Sequence, residues 1–303
     1  MKIGFVILHY KTTNDTIECI NSLKELDGSK LFKIYVVDNY SNNGSVEKLE
    51  EIYKEDPQVI FIKSKKNLGF ANGNNLGIQK ANEEKCDFII LLNNDTYIKQ
   101  KDFVKQIVSA WKKTHFAIGG PRIVSAIDGM DQNPFMIRRH FIKNKKMAWR
   151  LYFYGLIKYI FVLLRLPLFW ESSSGRYNLN EGLANQELNS QEQDFLLYGA
   201  CLILSPDYLH QYNKLCSLTF MYEEETIIYM LSRLLNYRVA YIPSAQIFHK
   251  EQSSTKKSLG VGRRRLLFGY REDFKSRKQV LKLMLHRSDK EYLKSQLING
   301  KNV

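Results

Sequence analysis

The run Phe88-Ile89-Ile90-Leu91-Leu92-Asn93-Asn94-Asp95-Thr96 is a continuous apolar stretch that stops abruptly at oxygen-bearing side chains. Bounded by turn formers, it predicts a fully buried central strand. Ligands of open α/β sheets gather at the carboxyl ends of strands, and Asp95 falls there. A carboxylate beside the amide oxygen of Asn93 suits a hard divalent cation carrying a phosphate. Three other loops carry polar chemistry. His9-Tyr10-Lys11-Thr12 offers a ring, Tyr10, on which a base could stack, and at Asp38-Asn39 the carboxylate could accept from a pyrimidine N–H. In Asn67-Leu68-Gly69-Phe70-Ala71-Asn72-Gly73-Asn74-Asn75, Gly69 and Gly73 would let the backbone pass close to a ligand. Taken singly, each reads equally well as turn chemistry or strand-end packing. The triplet Glu223-Glu224-Glu225 gathers carboxylates that raise one another's proton affinity, which moves a base towards working pH. The plainer reading is the acidic first turn of a helix over 226–235, favoured by its dipole.

These side chains meet only if the elements bring them to one edge. Residues 3–8 are an apolar run, followed by Ile17, Ile20, Leu23 and Leu26 at helical spacing. Residues 33–38 predict a second strand, 39–45 a turn-rich loop, and a Glu- and Lys-rich helix comes next. A third strand is expected at 59–62, a helix at 74–82, and a fourth strand ending at Asp95. Repeated βα units of this length imply a mostly parallel sheet with helices on both faces. Right-handed crossovers then line the strand-end loops along one edge, where Tyr10, Asp38, the 67–75 loop and Asp95 converge.

The 303 residues allow one large domain or one with an appended piece. Hydrophobic content of 44% and charged content of 25% exclude a disordered chain. A net charge of +14 favours anionic partners: nucleotide phosphates, nucleic acid or an acidic membrane surface. Cys19, Cys86, Cys201 and Cys216 form no close pair, which speaks against structural zinc or a disulfide framework and for a reducing, cytoplasmic compartment. The N-terminus runs directly into a strand pattern, so no secretory signal is expected. Residues 147–170 approach the length of a membrane span, but Arg150, Lys158 and Arg165 interrupt them. They suit a helix lying in the membrane interface, or a buried helical insertion. Beyond His249, Lys256-Lys257, Arg263-Arg264-Arg265, Arg271, Lys275, Arg277 and Lys278 interleave with apolar residues from Phe268 to Leu285. One or two amphipathic helices are expected, their basic faces either solvated or meeting lipid headgroups or the pyrophosphate of a lipid-linked acceptor. Two such segments favour a peripheral membrane protein.

In order along the chain, Val36-Val37-Asp38-Asn39-Tyr40-Ser41, the 67–75 motif and Leu92-Asn93-Asn94-Asp95-Thr96 resemble family-2 glycosyltransferases. The resemblance is strongest to the rhamnosyltransferase-like branch that builds bacterial surface polysaccharides. It extends to Tyr198-Gly199-Ala200-Cys201, Phe220-Met221-Tyr222-Glu223-Glu224-Glu225, Ile242-Pro243-Ser244-Ala245 and His249. Residues 1–255 would then be the glycosyltransferase domain, with an aromatic and basic insertion near 130–193, and 256–303 a basic amphipathic helical segment. The resemblance implies an α/β fold of the nucleotide-diphospho-sugar transferase (GT-A) type, and inversion at the sugar's anomeric carbon.

Carried across by position, Tyr10 and Asp38 would hold the base, with Asn67 and Asn74 nearby. Lys11, Gly69, Phe70, Asn94, Gly199 and Ala200 would complete the nucleotide-sugar site. Asp95 would be the metal-binding member of the family's Asp-x-Asp motif, with Asn93 in place of its first carboxylate and His249 completing a site for Mg²⁺ or Mn²⁺. Asn93 supplies a carbonyl oxygen but no charge, so affinity leans on the donor's diphosphate. The base aligns with Glu225, preceded by Glu224, and Glu223 is expected to be solvated. The implied partners are a dTDP- or UDP-sugar, with rhamnose the leading sugar, a glycan or lipid-linked acceptor, and the anionic inner face of the cell membrane. A nucleic-acid partner suits the charge, but the basic residues concentrate after the α/β half and no aromatic RNA-binding signature is present. A dinucleotide-dependent oxidoreductase would need a Gly-rich turn where His9-Tyr10-Lys11-Thr12 stands. Asn93 keeps open a homologue that binds glycan without turning it over.

Overall fold

A computed structural model describes residues 1–135, 140–166, 185–251 and 263–298. The chain begins as alternating strands and helices: β1 (Ile3–His9), α1 (Thr13–Lys24), β2 (Lys33–Asp38), α2 (Ser45–Ile52), β3 (Val59–Lys63), α3 (Gly69–Glu83) and β4 (Phe88–Asn93). A two-residue turn at Asn94-Asp95 leads into β5 (Thr96–Tyr97), then α4 (Phe103–Thr114), β6 (Ile118–Ser125) and α5 (Lys145–Leu163). β7 (Leu188–Asn189), β8 (Cys201–Leu204), α6 (Pro206–Leu209), α7 (Glu224–Leu235), β9 (Val239–His249), α8 (Arg263–Leu285) and α9 (Lys290–Ser295) complete it.

The strands form one sheet in the order β3-β2-β1-β4-β8-β6-β9-β5, with β7 alongside β9. The expected parallel arrangement holds for β3-β2-β1-β4 and for β6 with β9. β8, however, runs antiparallel to both β4 and β6, so the sheet is mixed. That reversal delivers Gly199-Ala200 to the carboxyl end of β4, where Ala200 O accepts from Asn93 N at 3.0 Å.

Both faces of the sheet are buried, and the strands alternate between two cores with a period of two. Val6, Tyr35, Val37, Ile89 and Leu91 pack on one side with residues of α3, α5, α7, α8 and α9. Phe5, Ile7, Ile34, Val36, Ile90 and Leu92 face α1 and α4 on the other. The C-terminal helices belong to this body: Val280, Leu283, Met284 and Leu293 lie in the first core.

Two boundaries differ from the sequence reading. α3 starts at Gly69, five residues before the expected 74, because its Asn- and Gly-rich first turns read as loop. The fourth strand ends at Asn93, leaving Asp95 on the turn beyond it. Of the 147–170 segment, α5 covers the part to Leu163, and 167–170 lie outside the described residues, as do Lys256 and Lys257.

Candidate active site

Asp95 is fixed from both sides. Thr96 pairs with His249 across the β5–β9 ladder, and Lys250 N donates to the Asp95 carbonyl at 2.9 Å. The ladder sets His249 Nε2 3.3 Å from Asp95 Oδ1, with the two residues 5% and 7% exposed. The other ring nitrogen, Nδ1, lies 2.9 Å from Gln132 Oε1, while Gln132 Nε2 donates to Glu251 Oε1 at 2.6 Å. Because the Gln132 amide donates to Glu251, its carbonyl faces the ring and accepts from Nδ1, which leaves Nε2 as the ring nitrogen on the Asp95 side. Metal-ligating histidines are oriented by such a partner. Asp95 and His249 therefore fit a divalent cation. Among the described residues no third His, Cys, Asp or Glu joins them, so the remaining positions fall to oxygens of the Asn93 type, water or a ligand's phosphates. Asn93 is half-buried beside this pair, and its side chain makes no hydrogen bond among the described residues.

Asn94, expected in the nucleotide-sugar site, turns its amide nitrogen inward. It is buried, and its Nδ2 donates to Thr12 Oγ1 at 2.6 Å and Thr16 Oγ1 at 2.9 Å. It locks the tip of β4 to the start of α1. Neighbours on an extended strand face opposite sides, and here the alternation carries into the turn.

On the donor side, Tyr10 and Lys11 follow β1 directly, half-buried, with Lys11 Nζ 4.9 Å from the Tyr10 ring centroid. Asp38 is buried and accepts from Ser41 N at 3.1 Å, which makes it a turn-former as well as a carboxylate at the sheet edge. His9 lies between Thr16 Oγ1 at 2.7 Å and Ser45 Oγ at 2.8 Å. Burial lowers its pKa to about 4 against the pull of Asp38 and Glu47, so it is neutral at pH 7.

The 67–75 motif does more holding than the sequence suggested. Asn67 Oδ1 accepts from Gly69 N at 2.9 Å and opens α3. Asn39, missed at the sequence level, donates to Gly69 O at 3.0 Å and accepts from Leu68 N at 2.8 Å. Gly69 (φ +78°) does not make room for a ligand: a Cβ there would collide with the Phe220 carbonyl, which accepts from Phe70 N at 2.9 Å. Gly73 likewise packs on Leu8 and Asn39. Asn72 and Asn75, on one face of α3, donate to Ser217 O (3.2 Å) and Leu215 O (3.0 Å), and Asn75 also accepts from Leu215 N at 2.8 Å. Asn74 is buried, donates to Phe70 O at 3.0 Å, and has an Oδ1 without a partner, the one atom of the motif so placed.

The segment clamped by α3 runs into the acid triplet. Glu223 is not solvated, contrary to expectation: it is 5% exposed and meets Thr226, His140 and Arg277. Burial opposes its charge, but His140, Arg277 and Thr226 outweigh burial and hold its pKa below the ordinary value. Glu224 and Glu225 behave oppositely. Burial, with the charge of Glu225, pushes Glu224 up, and burial also raises Glu225. Two such carboxylates resist double ionisation and so retain a proton between them. Glu224 turns inward, with Thr219 Oγ1 3.3 Å away and a small internal cavity lined by Ala71, Ile118 and Tyr208. Glu225 turns the other way, its Oε1 accepting from Gly199 N at 3.2 Å, with Phe70 packed against the same glycine.

Tyr198 closes the gap between the two halves. Its ring lies 5.8 Å from that of His249, and its phenol pKa rises through burial and then the charges of Glu225 and Asp95. The β4 tip and the acid pair thus flank one wall, Tyr198-Gly199. Ala200, the residue just before β8, is buried behind that wall, its carbonyl taken by Asn93.

A mixed sheet in this strand order, with a carboxylate at the tip of β4 and acids opposite, defines a GT-A-like glycosyltransferase fold. Residues 5–165 match the model of glycosyl transferase family 2, and the chain belongs to that family. It is 26% identical over 110 residues to the uncharacterized glycosyltransferase YfnE of Bacillus subtilis, covering 36% of this chain and 27% of YfnE. It is 26% identical over 124 residues to the low-salt glycan biosynthesis hexosyltransferase Agl10 of Haloferax volcanii, covering 41% and 37%. The match thus spans about a third of those relatives. In structure it is similar to S. aureus TarS residues 1–349 (TM-score 0.53, 12% identity, 98% of this chain and 70% of that one). GalNAc-T7, solved with UDP, GalNAc and Mn²⁺, is also similar (TM-score 0.58, 13% identity, 95% and 54%).

Proposed function

We propose that this glycosyltransferase moves a sugar from a UDP- or dTDP-sugar to a hydroxyl of a glycan or lipid-linked acceptor, with inversion. One observation carries the reading: the Asp95–His249 pair and Glu225 flank the same Tyr198-Gly199 wall. The solved relatives bound to UDP support a uridine donor, and rhamnose rests on the sequence resemblance.

Asp95 and His249, with the Asn93 carbonyl, would hold a divalent cation, which when bound offsets charge on the departing diphosphate. Tyr10 and Asp38 would hold the base, with the unpartnered Oδ1 of Asn74 nearby. Glu225 takes the acceptor hydroxyl proton while that oxygen bonds to the anomeric carbon. The bond from that carbon to the phosphate oxygen breaks, and the diphosphate leaves with the electron pair. The Gly199 N–H keeps the Glu225 carboxylate aimed, and its raised pKa makes it a stronger acceptor. No protein nucleophile is needed; Cys201 is buried with its pKa raised by desolvation.

The acceptor is proposed to arrive at a membrane. Trp149, Phe153, Ile157, Ile160 and Leu163 form an exposed apolar stripe along α5. Arg263, with Arg264 and Arg265 at the start of α8, adjoins the end of this stripe, donating to Leu163 O at 3.3 Å. An aromatic face edged by arginines suits an anionic interface. No described helix is long and apolar enough to cross a membrane.

A panel of nucleotide sugars tests the function, read by turnover and by thermal stabilisation with and without Mn²⁺ or Mg²⁺. One UDP- or dTDP-sugar is expected to stabilise and react only with the cation present. If no nucleotide sugar binds, the reading fails.

A further inference from the structure

The loop that delivers the acid pair is gripped from one side by α8. Tyr222 and Glu223 have φ of 72° and 65°, consecutive non-glycine residues in the left-handed region. Such residues keep that conformation only where their surroundings over-determine it. Ser276 Oγ donates to the Met221 carbonyl at 2.7 Å, just before the pair. Arg277 Nε lies 3.2 Å from Glu223 Oε1, close as an ion pair though not aligned as a hydrogen bond. The other oxygen, Oε2, accepts from Thr226 Oγ1 at 2.6 Å and lies 2.9 Å from His140 Nδ1.

Arg277 is itself held in place. Its Nε lies 3.0 Å from Asp273 Oδ1, its Nη1 donates to Leu151 O at 3.4 Å, and its guanidinium lies 5.3 Å from the Tyr154 ring centroid. Gly155 clears the path, since a Cβ there would lie 2.5 Å from Arg277 Cδ. Glu223 and Arg277 are both buried. A buried ion pair is a poor source of stability compared with an apolar core, so its presence beside the acid pair calls for another role.

We infer that Glu223 and Arg277 are positioning residues for transfer: their ion pair fixes the left-handed turn at 222–223, so that Glu225, two residues on, faces the Gly199 N–H. This rests on the reading of Glu225 as proton acceptor. Neither residue touches substrate. The pair also sets the charge around Glu225, whose other titratable neighbours are Glu224, His140 and Tyr198. The carboxylate of Glu223 raises the proton affinity of Glu225, so neutralising it lowers that affinity.

The test measures kcat, donor KM and the pH dependence of kcat for full-length wild type, Glu223→Gln, Arg277→Met and the double variant, with thermal unfolding alongside. A misplaced base loses roughly 10- to 100-fold in rate, so kcat of each single variant is expected to fall by that factor with donor KM within about twofold. The acid limb of kcat should move to lower pH in Glu223→Gln and to higher pH in Arg277→Met. A purely structural role would lower the melting temperature and move neither limb. Wild-type kcat in the single variants, or loss of kcat with both limbs unmoved, overturns the inference. The double variant, neutral and close in volume, stands in if a single variant does not fold, and a tenfold loss of kcat is expected of it. If none of the three folds, the pair is structural and the inference fails. Should Glu225→Gln itself keep wild-type kcat, the base assignment is what has failed, a result distinct from any of these.

Discussion

Gln132 orients His249 through Nδ1, the ring nitrogen away from Asp95, which makes it a sharper probe than either proposed ligand. Gln132→Leu removes the acceptor at Nδ1, and outer partners of this kind typically contribute 10- to 100-fold in metal affinity. A Mn²⁺ titration read by donor-dependent thermal stabilisation should shift by about that factor, whereas an unchanged midpoint would mean that Nε2 is not a ligand. Asp95→Ala should abolish metal-dependent donor binding altogether, read by the same titration. Asp95 and Glu225 were legible in the sequence as candidates because each sits in a short motif with a chemical reason for its residue types. Gln132, His140 and Arg277 were not. They meet their partners across 117, 83 and 54 residues, and no spacing rule spans that. Asn94 shows what residue type alone leaves out: it fits a site by type, while its amide nitrogen faces the interior.

α3 shows how an element's composition can hide its purpose. Its asparagines read as ligand-binding loop, yet Asn72 and Asn75 form a one-sided clamp on residues 215–217 that feeds the acid triplet. Side chains pairing with backbone carbonyls are invisible to hydrophobic periodicity, the main signal for a helix. Asn75→Ala leaves the N–H and C=O of Leu215 unpaired in a partly buried place, at a cost of roughly 1–3 kcal/mol. Urea denaturation should register that loss as a lower midpoint with unchanged slope. Gly69→Ala meets both a left-handed φ and the Phe220 carbonyl, so it should displace the 220 loop and reduce turnover even where the protein still folds. Turnover at the wild-type level in folded Gly69→Ala would contradict the proposed role of that contact. The parallel run β3-β2-β1-β4 was readable because each strand is an apolar run with its own helix. The antiparallel β8 was not, since four buried residues carry no direction.

Across the whole molecule, the sheet buries both faces and takes His9 with it. A histidine whose folded pKa lies near 4 and whose unfolded pKa is near 6.5 binds its proton first in the unfolded chain. Stability is therefore intact above pH 6.5 and drains away as pH falls towards 4, by about 2 kcal/mol between pH 7 and 5. Denaturant titrations at both pH values should give a loss of unfolding free energy on acidification that is larger in wild type than in His9→Gln by that amount. Equal losses in the two proteins would place the His9 ring in water. The net charge of +14 was legible at once, but its placement was not: only the packing of α8 on α5 brings Arg263 to the apolar stripe. Anionic vesicles should retain the wild type and release a Trp149→Ser, Phe153→Ser, Ile157→Ser variant, and equal retention would remove the interface from the account. The central claim, a proton acceptor facing the cation-binding tip of β4, is tested most directly by Glu225→Gln in a single-turnover assay with donor affinity measured in parallel. Donor affinity within about twofold of wild type, with the transfer rate down at least roughly a hundredfold, is the predicted result. Transfer at the wild-type rate would contradict it.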